Sequence, residues 1–442
     1  MTNRILVLGC AWVALWWAST SLPAQELQPL LTGDSEVRST ESAGESQQWL
    51  DCFPEVVTES ASQFPEVKIT GVVQLDAAYF SQNAANRNTL GDIEDGLGFR
   101  RARLAAKGKV TPGTSYIVEF DFAQSQARFV DVWMEFAETR FGNVRLGRYR
   151  QPFGMSEMTS IRELPFLERP MTFTQSPFRQ TGIMCFDASL DGRRTRAISG
   201  YRFLSDNFGN AIGDSGGYGL ASRLTTTLLD HGDNHLVHLG SGYSYNDPAR
   251  GIVQLAYTNE LFIGQNPNLG PAGLNSLPIV GVPPFVNSGP LGADALQLLN
   301  LEAGIARGPL AIQSEARWAS VEQSSGSTVQ FPGAYLHLRY VLTGEDIPYD
   351  RKSGTFRRVQ PLCPFTKEGG IGAIEVGARL SHLDLIAPGI NGRRLTDMTL
   401  GATWYWNAYT KFQVNWIHSR LDDAVLGSSL ANAFAMRAEL NF

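Results

Sequence analysis

The final stretch of the chain, Phe434-Ala435-Met436-Arg437-Ala438-Glu439-Leu440-Asn441-Phe442, decides how the rest is read. Phe434, Met436, Ala438, Leu440 and Phe442 alternate with Ala435, Arg437, Glu439 and Asn441. An extended strand therefore turns an apolar side one way and a polar side the other. The same period of two recurs upstream. Phe412, Val414 and Trp416 alternate with Lys411, Gln413 and Asn415, and Met398, Leu400, Ala402, Trp404 and Trp406 alternate with Thr399, Gly401, Thr403 and Tyr405. Much earlier, Arg101, Arg103, Ala105, Lys107 and Lys109 share one side of a strand whose other side is Ala102, Leu104, Ala106, Gly108 and Val110. Two further strands place acids on their polar side: Glu119 and Asp121 in one, Asp131 and Glu135, with Trp133, in the next.

Alternation alone fits a water-facing sandwich as well as a lipid-facing sheet. Composition narrows the choice. The chain has 442 residues, 18% charged, with 44 glycines and a mean hydropathy of -0.14, which excludes a helical-bundle membrane protein. Beyond the N-terminus the longest uncharged stretch, Leu261 to Ala293, contains six prolines and reads as a long loop. Strands close to the ~10 residues that cross a bilayer obliquely, Trp and Tyr at strand ends and a terminal Phe all point to a lipid-facing sheet. In lipid only a closed barrel satisfies every strand's backbone groups. At roughly 23 residues per strand and connection, residues 67 to 442 predict about 16 strands. The expected fold is therefore all-β, a transmembrane antiparallel β-barrel.

Residues 1 to 25 have a basic start at Arg4, an apolar run from Ile5 to Ala18 and a small residue at Ala24, the layout of a secretory signal peptide. Leu8-Gly9-Cys10 resembles a lipoprotein box but precedes most of that apolar run. Residues 26 to 66 carry nine acids against the single base Arg38 and read as an acidic flexible linker, with room for a short helix near Gln47 to Cys52. The formal charge of -6 belongs to that segment, because residues 67 to 442 sum to +1. Cys52, Cys185 and Cys363 remain after cleavage, an odd count without metal-ligand spacing.

Several blocks, in order, resemble the phosphate-selective porin O and P family of outer-membrane channels. They begin with Phe99-Arg100-Arg101-Ala102-Arg103-Leu104 and Arg145-Leu146-Gly147-Arg148-Tyr149-Arg150-Gln151-Pro152-Phe153-Gly154. Thr159-Ser160, Phe166-Leu167-Glu168-Arg169 and His238-Leu239-Gly240 follow. The most specific is Leu342-Thr343-Gly344-Glu345 running to Pro348-Tyr349-Asp350-Arg351-Lys352-Ser353-Gly354, and Thr399-Leu400-Gly401 with Trp404-Tyr405 comes last. The resemblance implies a 16-stranded barrel in the cell outer membrane, normally a homotrimer. It also implies a third external loop, here about Gln151 to Met184, folded into the lumen, and a row of Arg and Lys that guides phosphate or other small anions.

The residues support that charge pattern independently, since Arg145 to Arg202 holds ten Arg, no Lys and only five acids. A confined oxyanion loses bulk water, and fixed cations must replace that stabilisation. Arg suits the task because its planar fork stays charged and donates bidentately. Release must remain fast, so several moderate sites in series conduct better than one trap. The candidate pore-lining residues are Arg101, Arg103, Lys107, Arg145, Arg150 and Arg179, with Arg179 placed within the inward loop. Arg150 stands where the family has Lys. Arg100 has the opposite parity to Arg101 and faces the lumen only if the strand starts after it. Pairing with Glu119, Asp121, Asp131 and Glu135 is the structural alternative for these bases.

Two other function classes stay open: a general diffusion porin without anion preference, and a barrel enzyme such as an outer-membrane lipase. Gly213-Asp214-Ser215-Gly216-Gly217 looks like a serine-protease nucleophile motif, but the first histidine, His231, follows it, whereas trypsin-like enzymes place His and Asp ahead of Ser. His231, Asp233 and His235 could hold a metal in a loop, although two His and one acid there are more often simply solvated; Asp92, Glu94 and Asp95 could hold calcium but lack the regular spacing of a dedicated loop, and neither group is assigned. The chain is expected to need no cofactor, to bind outer-membrane lipid but no nucleic acid, and to catalyse nothing.

Overall fold

The computed structural model describes residues 64–442 apart from 124–126, 205–207, 210–216, 233 and 263–281. The signal peptide, almost all of the acidic linker, Cys52, the helix near Gln47, Asp233 and the first four residues of the Gly213-Asp214-Ser215-Gly216-Gly217 run lie outside the described residues. So does most of the Leu261–Ala293 stretch, although its last residues already belong to a strand beginning at Leu291.

Sixteen strands form the wall. The first eight are β1 Lys68–Gln82, β2 Gly96–Thr111, β3 Thr114–Asp121, β4 Arg128–Thr139, β5 Gly142–Arg150, β6 Arg179–Ala188, β7 Arg194–Arg202 and β8 Tyr218–Leu228. The second eight are β9 His235–Asp247, β10 Leu291–Arg307, β11 Leu310–Gln323, β12 Thr328–Val341, β13 Ala373–Ala387, β14 Ile390–Tyr405, β15 Thr410–Asp423 and β16 Gly427–Asn441. Each pairs antiparallel with the next, and β1 pairs with β16 from Val72↔Asn441 to Gln82↔Ala431, so the sheet closes on itself. Closure leaves no edge.

The alternation read from the sequence sets the two faces. In β16, Phe434, Met436 and Leu440 are 47–58% exposed, and so is Phe442 just after it, whereas Ala435, Arg437 and Glu439 are at most 1% exposed. The register lines up an outward apolar row from Ile312 through Leu338, Ala378, Leu400 and Trp416 to Phe434. One irregularity matters for the lumen. Arg101 pairs with Gln74 and Phe99 with Leu75, so Arg100 is an extra, bulged residue. The strand starts at Gly96, ahead of Arg100, and the bulge rather than a later start turns both Arg100 and Arg101 inward.

Connections at the two ends of the barrel differ. At the end where β1 begins and β16 ends, most are short, such as 112–113, 140–141 and 308–309. The exception is 342–372, which joins β12 to β13 and carries the Leu342 to Gly354 run. It packs Ile347, Tyr349, Phe356 and Val359 against Leu236, Ala306 and Ala311 of the wall. Arg223 of β8 donates to the Ser353 and Gly354 carbonyls at 2.6 and 2.8 Å.

Candidate functional site

The segment 151–178 between β5 and β6 contains Pro152, Pro165, Pro170 and Pro177, which keep it from forming one long helix. It holds instead a four-residue helix, Met155–Met158, and two short 3₁₀ turns, Ile161–Glu163 and Met171–Thr174. It begins at Gln151 as expected but ends earlier than Met184. Arg179 is the first residue of β6, paired in register with Arg150, and so belongs to the wall rather than to the loop, because β-pairing resumes directly after Phe178.

Polar side chains of distant strands hold this segment. Glu302 of β10 accepts from the Met155 amide at 2.6 Å, and Glu315 of β11 from the Ser156 amide at 3.0 Å. Lys411 of β15 donates to the Arg162 and Leu164 carbonyls at 3.2 Å each. Two glycine features make room. A Cβ on Gly242 would come within 1.8 Å of the Phe153 carbonyl oxygen, and the paired Gly377 and Gly401 leave a dent for the Phe166 ring. Larger residues there would push the segment off the wall.

The strongest ionic knot lies on Glu168 of this segment. Arg100 donates to its two oxygens at 2.7 and 3.0 Å, Arg101 at 3.1 and 3.4 Å, and Arg437 at 2.8 Å. All four side chains are buried. The three guanidiniums hold the Glu168 carboxyl well below the usual range, against the opposing effect of burial. Arg101 is thus lumenal, yet occupied by the loop. The Arg223, Glu302 and His238 cluster with Tyr349, and the Arg339–Glu375 and Arg379–Glu260 pairs, repeat this pattern of bases matched by buried acids.

The other five candidate bases meet in one place. A cavity of about 270 Å³ lies between the segment and the wall of β1 to β6, and Arg103, Lys107, Arg145, Arg150 and Arg179 all line it. Arg162, from the loop, is a sixth base there. The acids on its lining are Glu119 and Asp131, and the carbon surfaces come chiefly from Ile117, Trp133, Tyr149, Met158 and Ile161. Sequence reasoning overlooked Arg162, although it falls inside the arginine-rich run Arg145 to Arg202.

The bases differ in how far they are committed. All four acids named as alternative partners from sequence take one up. Arg103 pairs with Asp121 at 2.8 Å, Arg145 with Glu135 at 2.5 Å and Arg179 with Asp131 at 2.9 Å, while Arg162 stands 3.8 Å from Glu119. Arg150 uses Nη1 to donate to the Met158 and Thr159 carbonyls, both at 2.7 Å, and so fixes the loop backbone. Nη2 of Arg162 and Nη1 of Arg179 are buried without a hydrogen-bond partner among the described residues. Arg145 also stacks on Trp133, its guanidinium carbon 4.1 Å from the ring centre.

Glu157, in the loop helix, supplies a pH response. Burial pushes its carboxyl up to about 7, with Glu315 adding to the rise, while Arg317, Arg169 and the hydrogen bond from Ser176 pull it down. A raised value means the seat is intact below the ordinary carboxylate range and weakens as pH climbs through about 7. Between pH 5.5 and 8.5, amide hydrogen exchange over 155–159, corrected for its intrinsic pH dependence, is expected to speed up, and Glu157→Gln to abolish the change. An identical response in Glu157→Gln would assign it to another group.

Comparisons with known proteins agree with the fold. A family model described as phosphate-selective porin O and P matches residues 67–442. Among solved structures, an anion-selective porin from Comamonas acidovorans superposes with a TM-score of 0.52 at 15% identity, over 85% of this chain and 99% of that one. The outer membrane channel DcaP of Acinetobacter baumannii gives 0.51 at 11% identity, over 85% of this chain and 97% of that one. At these identities the likeness is one of fold. An uncharacterized protein of Caulobacter vibrioides is 30% identical over 103 residues, 23% of this chain, and the match spans only 20% of that relative's length.

Proposed function

The chain belongs to the phosphate-selective porin O and P family and is a β-barrel anion channel of the outer membrane, and we propose that its anion path runs through the basic cavity between segment 151–178 and the wall of β1 to β6. The observation that carries this reading is the gathering of six bases against two acids on one lumenal cavity. With Asp121 and Glu135 counted as partners of Arg103 and Arg145, Lys107 and Arg150 remain without a carboxylate within ion-pair distance among the described residues. The local excess is positive, and a confined positive potential raises the concentration of anions relative to cations.

The residues take different parts in this reading. Lys107 and Arg162 meet the anion, Arg179 offers Nη1 beside them, and Arg150 acts through the loop backbone it holds. Arg103 and Arg145 contribute field while bound to their acids, and Arg101 anchors the loop through Glu168. Family and fold are those of a channel rather than an enzyme, and the reading requires no catalysis. The homotrimer and the lipid contact implied by the resemblance belong to it as well, and the apolar outward row supports the lipid contact. A signal peptide at residues 1 to 25 would take the chain to that membrane.

Charge reversal at Lys107 tests the path. A unit charge beside a permeating ion is worth about 1 kcal/mol in water and more in a confined site, so Lys107→Glu is expected to lower the chloride-to-potassium permeability ratio about fivefold or more. An unchanged ratio would take Lys107 off the path.

A further inference from the structure

We propose that the cavity prefers a carboxylate with a compact apolar body, such as a small aromatic or alicyclic monocarboxylate, over inorganic phosphate; the inference rests on the anion-channel reading above. Most of the positive charge around the cavity is already spent. Asp121, Asp131 and Glu135 each accept from their own arginine at 2.5–2.9 Å, and Arg150 gives Nη1 to backbone carbonyls. Among the described residues, Nη2 of Arg162 and Nη1 of Arg179 are buried donors without a hydrogen-bond partner, and the ammonium of Lys107 stands on the same lining. Arg179 is 7% exposed, so its free N–H has little water to turn to. A carboxylate, with one charge and two oxygens, asks for only a few such donors.

They do not match phosphate as well. A phosphate dianion presents four oxygens in a tetrahedron and needs donors on every side to replace its water. Here much of the remaining surface is carbon: Ile117 and Trp133 from the wall, Met158 and Ile161 from the loop. Ile117, Trp133 and Met158 are half-buried and so keep carbon surface open to the cavity. The cavity volume of about 270 Å³ lies just under the ~300–1,000 Å³ usual for ligand pockets, which admits one small molecule and no extended chain. A ring of six carbons attached to a carboxylate places its charge on the cations and its body on these residues. Acetate supplies the same head group without the body.

The test uses the purified full-length porin in planar lipid bilayers, carrying chloride current, with benzoate, acetate and inorganic phosphate added in turn. Benzoate is expected to half-block at a concentration about tenfold below acetate, the difference expected from burying a ring, and below phosphate too. Ile161→Ser and Met158→Ser, both on the loop, are expected to shrink the benzoate-to-acetate gap to about threefold or less. Equal potency of benzoate and acetate, or phosphate as the strongest blocker, would overturn the preference while leaving the channel reading intact. A zero-current potential showing no chloride preference would overturn both. If either loop variant fails to insert, the ranking of the three blockers on the unaltered protein still decides.

Discussion

Glu168→Ala is expected to destabilise the folded barrel by about 3–5 kcal/mol, the usual cost of removing one partner from a buried ionic cluster. Arg100, Arg101 and Arg437 converge on this one carboxylate, at N–O distances from 2.7 to 3.4 Å. Without it Arg437 keeps Asp76, to which it donates twice at 2.7 Å, but Arg100 and Arg101 are left as neighbouring buried cations, Arg101 keeping only its bond to Gln74. The loop loses its main tether to β2 and β16 in the same step. Glu135→Ala is the natural control, because the Arg145–Glu135 pair is part-exposed, with side chains 20% and 17% accessible, and solvent screening limits its loss to about 1 kcal/mol. Thermal conversion of the folded form to the unfolded form in detergent, followed by its electrophoretic mobility, reads both. Equal midpoints for the two variants would show that the Glu168 cluster does not hold the loop.

Leu400→Arg is expected to be nearly as costly, for a different reason. Leu400 is 40% exposed and sits in the outward row that runs from Ile312 to Phe434, so the account places it against hydrocarbon. Arginine near the bilayer midplane on a barrel's outer face costs about 2–4 kcal/mol. Denaturant titration of the protein folded into lipid vesicles measures it, with Leu400→Phe expected to be near neutral. A loss below about 0.5 kcal/mol for the arginine variant would mean that this face meets water or protein instead.

These two predictions draw on parts of the chain that differ in how readable they were. The outward row was visible in sequence, because strict alternation from Met398 to Trp406 and from Phe434 to Phe442 leaves one strand only one way to face. The pore bases were visible as residue types, and five of the six reach one cavity: Arg150 and Arg179 carry the parity of outward-facing Leu146 and Ile183 and reach it where β5 ends and β6 begins, while Arg145 alternates inward on β5 and Arg103 and Lys107 on β2. Arg101 follows the same parity but is captured by Glu168. That capture depends on a loop carboxylate arriving from sixty-seven residues away, which no local pattern encodes. The bulge that turns Arg100 inward is likewise a property of the pairing with β1 rather than of β2 itself. Arg179 was misplaced because its neighbours Phe178 and Gln180 read equally well as loop, whereas pairing with Arg150 assigns it to the wall. The position of 342–372 against the inner wall was illegible for a similar reason: Tyr349 meets His238 at 2.6 Å only after closure brings β9 beside it.

The zero-current potential of the purified protein in a planar bilayer, under a tenfold potassium chloride gradient, tests the central claim most directly. A closed barrel whose lumen carries an uncompensated excess of bases predicts a potential displaced toward the chloride equilibrium value, and a displacement that shrinks in Lys107→Glu. A potential at zero or on the potassium side would contradict the account.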